Sequence, residues 1–85
     1  MELTTLFNEA VINSKALPEK PSNDVLLQLY SLYKQSTEGD VNVDAPNNSF
    51  DFVAKAKFNA WEELKGKPKE TAMQEYVNLV TGLKG

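Results

Sequence analysis

Leu27, Tyr30 and Lys34 are spaced i, i+3 and i+7. At about 100° per residue they stack along one edge of a helix. An apolar group, a phenol and an ammonium then lie on one line, which suits a ligand with a greasy part and an anionic part. The plainer alternative is that Tyr30 flanks a core while Lys34 snorkels into water. Lys57 argues against the plainer one. Val53, Ala60, Trp61 and Leu64 define an apolar arc on a later helix, and Lys57 falls within it. A lysine there must snorkel or neutralise an anion, because burying an unpaired ammonium is costly. No acidic residue occupies the corresponding arc of the first two helices, so a bound anion such as phosphate is a reasonable partner. Lys15, at the edge of the first helix's apolar face, is placed to join the same cleft. Tyr76 lies on the inward face of the last helix with a hydroxyl that needs a partner.

Other chemistries are excluded by residue type. The chain has 85 residues, nine basic and twelve acidic, for a net charge of −3, and it contains no histidine and no cysteine. All the basic residues are lysines. Without histidine or cysteine there is no Ser-His or Cys-His nucleophile pair, no thiolate or imidazole metal site and no disulfide. An enzyme is therefore not expected. The acidic balance argues against nucleic-acid binding, which needs a basic excess. Lys65, Lys67 and Lys69 read as surface charge. One small domain is expected, burying roughly 60–65% of its unfolded surface.

Several patterns imitate functional sites. Asp40, Asn42 and Asp44 match the opening of a calcium loop and Asp51 its twelfth position. However, Ala45 replaces the glycine of the sharp turn, and the twelfth residue is Asp rather than bidentate Glu. Asn47-Asn48-Ser49 is a glycosylation sequon that is expected never to meet the machinery. Glu62 and Glu63 are adjacent on a helix and point about 100° apart, so they make no catalytic dyad.

Four helices are expected to position these residues. Leu3, Leu6, Phe7, Ala10, Val11, Ser14 and Leu17 follow the helical period, and Pro18 and Pro21 end that run. Ser22 or Asn23 can cap a second helix, NDVLLQLYSLYKQSTE, which stops at Gly39. Its core face holds Val25, Leu26, Leu29, Leu32, Tyr33 and Ser36. Residues 40–50 read as loop. A third helix runs from about Phe52 to Leu64 and is ended by Gly66. Pro68 suits the first turn of a fourth, in which Ala72, Met73, Tyr76, Val77, Val80 and Leu83 share a face. The N-terminal run carries Glu2 where a secretory signal would be positive, and no apolar stretch approaches a membrane span. A cytoplasmic protein without stable membrane insertion is the expectation.

The run from Leu29 to Asp40, LYSLYKQSTEGD, resembles the LYxLYKQATxGD signature of the acyl-CoA-binding protein family. Lys55 to Gly66, KAKFNAWEELKG, is similar to its KAKWDAWNxLKG segment, and Ala72-Met73 with Tyr76-Val77 to its AMxxYI. The resemblance spans about Phe7 to Leu83. It implies an all-α, four-helix up-down-down-up bundle, a single domain over residues 1–85. Its implied role is a monomeric, non-catalytic carrier of long-chain acyl-CoA that needs no cofactor. By the same resemblance Tyr30, Lys34 and Lys57 hold the 3′-phosphate and ribose end of CoA. Tyr33 and Tyr76 line the nucleotide and pantetheine region, and Lys15 adds a contact. Leu26 and Leu27 cover the acyl chain, and Ser31 and Leu32, inside the same run, join the ligand-binding set. This chain departs from the pattern at Val53, where many members have lysine, at Phe58 in place of tryptophan, and at Asn47-Asn48, which lengthens the loop. The rival is a helical protein-interaction module with no small ligand, which would need a closed cleft and a carboxylate partner for Lys57.

Overall fold

The structure is a computed structural model, and it describes residues 2–45 and 51–84. Four helices carry the chain: α1 (Leu3–Ser14), α2 (Asn23–Glu38), α3 (Phe52–Glu62) and α4 (Lys69–Leu83). No strand occurs among the described residues, so the expected all-α, four-helix architecture is found.

Local chemistry accounts for the helix ends. The Ser22 hydroxyl accepts the Val25 N–H at 3.4 Å, and Asp24 follows in the first turn of α2. Both features offset the unpaired amides of a helix start. The Asp51 carboxylate caps α3 in the same way, accepting the Ala54 N–H at 2.9 Å. α2 stops where Gly39 takes φ +81° and ψ −148°, a region open essentially to glycine alone. α3 ends at Glu62 rather than near Leu64, because the last turn tightens through Leu64 N–H to Trp61 O and Lys65 N–H to Glu62 O. Pro68 sits at the capping position of α4 rather than inside its first turn.

Phe7 and Ala10 of α1, Leu29 and Leu32 of α2, and Ala72, Tyr76 and Val80 of α4 form one buried cluster. These residues recur three or four apart on each helix, so burying one stripe per helix removes them together from water. α4 packs on both α1 and α2, whereas α3 packs on α2 alone. The helices therefore lie side by side in the order α1, α4, α2, α3, in a slab of 41 × 28 × 15 Å. Tyr33, expected on the core face, stands at its margin and is 41% exposed.

The lone contact of α3 also corrects the reading of its apolar arc. Trp61 is buried, but Lys57 is exposed and Val53 is 64% exposed. With neither α1 nor α4 against it, the first half of this helix has no core to face. Lys57 consequently never pays a burial penalty, and its ammonium reaches the surface. The Asn47-Asn48-Ser49 stretch, expected as loop, lies outside the described residues.

Candidate ligand-binding site

The open side of the α2–α3 pair is apolar. Leu26 and Leu27 on α2 face Phe52, Val53 and Ala56 on α3, and with Asn23 and Lys57 they line a depression of about 340 Å³. Phe52 is 75% exposed there, which is unusual for so large an apolar side chain. Lys57 is shared with a second hollow of about 200 Å³, formed with Tyr30, Val43, Asp44, Ala54, Phe58 and Trp61. Tyr30 is shared in turn with a third, of about 360 Å³, where Lys15, Tyr33 and Tyr76 meet Val11, Ser14 and Leu29. The three hollows thus neighbour one another, with Lys57 and Tyr30 as shared walls, along a track whose first hollow is apolar and whose others carry cations and phenols.

An aromatic floor underlies the far end. Phe7 and Tyr33 stack at 6.0 Å between ring centroids, and Phe7 meets Tyr76 edge-on at 5.1 Å. The Tyr76 hydroxyl donates to Ser14 Oγ at 3.1 Å, while Ser14 Oγ donates to the Val11 carbonyl at 2.7 Å. The partner expected for this buried phenol is therefore on α1, which ties the two ends of the chain together.

Two ammonium groups rest on rings in the middle of the track. Lys57 Nζ lies 5.2 Å from the Tyr30 ring centre and Lys34 Nζ 5.0 Å from that of Trp61, distances at which the negative ring face attracts a cation. Lys34 also pairs with Glu38 one turn later in α2. That hydrogen bond raises the Lys34 ammonium above the ordinary lysine range and lowers the Glu38 carboxyl below its own. A helical wheel searched for acids across the cleft does not show this partner, because it lies on the same helix.

Leu27, Tyr30 and Lys57 thus line the middle and apolar parts of the track, Lys34 stands beside its middle over Trp61, and Lys15, Tyr33 and Tyr76 line its far end. Ser31 and Leu32 are not brought to it. Both are buried, Leu32 in the core and Ser31 with its hydroxyl donating to the Gln28 carbonyl at 3.1 Å. Asn23, Phe52 and Ala56 line the track without having been singled out from the sequence. Phe52 lies outside every pattern used above. Only its exposure beside Leu26 and Leu27 reveals it.

Several residues of the LYSLYKQSTEGD run serve the fold. Gln35 is fully buried and its amide donates to Asp40 Oδ1 at 2.9 Å and to the Lys67 carbonyl at 2.8 Å. Asp40 Oδ1 also accepts the Gly66 N–H at 2.8 Å, and Trp61 Nε1 donates to the Gly39 carbonyl at 2.9 Å. The end of α2 is thereby fastened to the end of α3 and the start of α4. The calcium-like spacing has the same explanation: Asp40 fastens this junction and Asp51 caps α3. Lys67, read as surface charge, is held by both oxygens of Glu75 at 2.7 Å.

Residues 4–80 match the acyl-CoA-binding protein family model. The acyl-CoA-binding protein of Dictyostelium discoideum is 52% identical over 88% of this chain and 88% of its own length. Enoyl-CoA delta isomerase 2 of Rattus norvegicus is 51% identical over 91% of this chain, but the match covers 19% of that longer protein. In three dimensions the crystal structure of acyl-CoA-binding protein 2 from Oryza sativa superimposes with a TM-score of 0.89 at 40% identity, over 95% of this chain and 87% of that one. Fold, sequence and family model agree, and the chain belongs to the acyl-CoA-binding protein family.

Proposed function

We propose that this protein carries long-chain acyl-CoA thioesters and that the track is where it holds them. The supporting observation is the succession of hollows: an apolar one shares Lys57 with a second, which shares Tyr30 with a phenol- and lysine-bearing third. The acyl chain lies in the hollow of Leu26, Leu27, Phe52, Val53 and Ala56. The 3′-phosphate and ribose end of CoA is met by Tyr30, Lys34 and Lys57, with Lys15 as a further cation. Tyr33 and the edge of Tyr76 flank the nucleotide and pantetheine. Val53 adds apolar surface at the hollow's rim in place of another ammonium.

Each buried methylene contributes about 0.8 kcal/mol, so a sixteen-carbon chain offers roughly 12 kcal/mol before ordering costs are subtracted. Binding therefore depends on the chain, while the lysines select the head group. The carrier holds the thioester without attacking it, since it has neither cysteine nor histidine to act as a nucleophile–base pair. In this reading it works as a single copy in the cytoplasm, with no nucleic-acid partner. Among the described residues no helix is long and apolar enough to cross a membrane. The open α2–α3 hollow and the position of Lys57 over Tyr30 give the interaction-module alternative neither of the features it required.

Calorimetric titration with palmitoyl-CoA and with free CoA tests the assignment. Stoichiometric binding of the former, at least a hundredfold tighter than the latter, is expected. Absence of binding to palmitoyl-CoA overturns it.

A further inference from the structure

The pairing of Lys34 with Glu38 is built in its weaker form. On a helix, glutamate four residues before lysine is the better order, and here lysine comes first. Glu38 is also the last residue of α2, where unpaired carbonyls make a negative charge unwelcome. The two side chains are 26% and 39% exposed, so water and salt screen what attraction is left. Helix stability thus gains little from a glutamate at this position, whose other partner is the Asn42 side chain just beyond the helix. Yet Glu38 takes up the ammonium that α2 presents beside Trp61, at the edge of the middle hollow. Among the described residues, neither Lys15 nor Lys57 is paired with a carboxylate in this way.

We propose that Glu38 is an internal competitor for the ligand's phosphate, holding Lys34 in the empty protein and yielding it when a phosphorylated head group arrives. The inference rests on the acyl-CoA reading given above and deepens it. A phosphate monoester carries a charge of about −1.5 to −2 at neutral pH against −1 for a carboxylate, so the exchange favours the ligand. The displaced carboxylate then remains within one helical turn of the phosphate and repels it. Glu38 thus lowers affinity for ligands bearing the 3′-phosphate and narrows their advantage over ligands without it. It also keeps the Lys34 ammonium charged and oriented, because the hydrogen bond between them stabilises the protonated form.

The test uses palmitoyl-CoA and its 3′-dephospho analogue, titrated into the wild type, Glu38→Gln, Lys34→Met and the double variant. Heat is followed together with the fluorescence of Trp61, the single tryptophan. Glu38→Gln should bind palmitoyl-CoA about three- to tenfold tighter, the range expected for removing one screened charge beside a phosphate. Its affinity for the dephospho analogue should change less than twofold, and the gain should vanish in the Lys34→Met background. An equal gain for both ligands, a gain that survives Lys34→Met, or no gain at all overturns the competitor role. Failure of the wild type to bind either ligand overturns the acyl-CoA reading as well, and is distinct from those outcomes.

Discussion

Lys34 and Lys57 each reach across the α2–α3 boundary and rest an ammonium on an aromatic ring of the other helix. The Lys57 stem adds to the apolar wall of the first hollow, and in the proposed reading both charges meet the ligand. Removing only the charge should therefore separate the two roles. Lys57→Met keeps the stem, and we expect it to weaken palmitoyl-CoA binding roughly tenfold, the scale of one charge-assisted contact. Lys69→Met, at the exposed start of α4, should leave binding within twofold. Equal effects in calorimetry would reduce Lys57 to an ordinary surface lysine. At this scale the spacing of Leu27, Tyr30 and Lys34 was readable as one stripe. The Glu38 pairing is an i,i+4 relation on the same helix, which a search for acids across the cleft passes over.

One carboxylate takes two of the hydrogen bonds at the junction of α2, α3 and α4. Asp40 accepts hydrogen bonds from the Gly66 N–H and the Gln35 amide. The Gly66 N–H, more than the amide, holds its carboxyl below the usual aspartate range. A carboxyl depressed in the folded state stabilises the fold fully above its unfolded value of about 3.9, and that contribution is lost as pH falls through the folded value. Asp40→Asn keeps an acceptor oxygen but not the charge. Its melting temperature should lie below that of the wild type at neutral pH and fall less steeply under acid, the two curves converging below pH 3 or so. Parallel curves in scanning calorimetry from pH 7 to pH 2 would remove the carboxylate from the junction's account. The helix limits were largely legible here, since Ser22, Gly39, Gly66 and the prolines act locally. The early end of α3 was not, because a tightened last turn answers to the Asp40 junction that follows it.

The slab arrangement leaves α3 resting on α2 alone. A ligand lying from the α2–α3 hollow to the Lys15 end would touch α1, α2 and α3 together and add a link that the helices lack. Any ligand that binds only the folded state stabilises it by mass action, by about 2.7 kcal/mol at a free concentration one hundred times Kd. For a domain of this size that corresponds to a rise in Tm of roughly 10–20 °C. Palmitoyl-CoA should produce it in thermal unfolding followed by circular dichroism, and free CoA at the same concentration should produce a small fraction of it. An unchanged Tm with palmitoyl-CoA would contradict a ligand seated across three helices.

The amino-acid sequence by itself determined the number and nearly the limits of the helices, the stripes that form the core, and the family. Each of these follows from short-range periodicity, from capping residues, or from long matching runs such as LYSLYKQSTEGD. It also showed that this chain brings no histidine or cysteine side chain to any site. Tertiary structure alone decided which residues of those runs stand open along the hollows and which are buried. Gln35, Ser31 and Leu32 sit within the same run as Tyr30 and Lys34 but are buried. Val53 reads as part of an apolar arc but stands exposed, and Phe52, which no pattern marks, stands exposed beside it. Helical phase gives a side chain's direction, whereas burial depends on whether another helix stands there. For α3 only α2 does, and the side left open is the one that can receive a ligand.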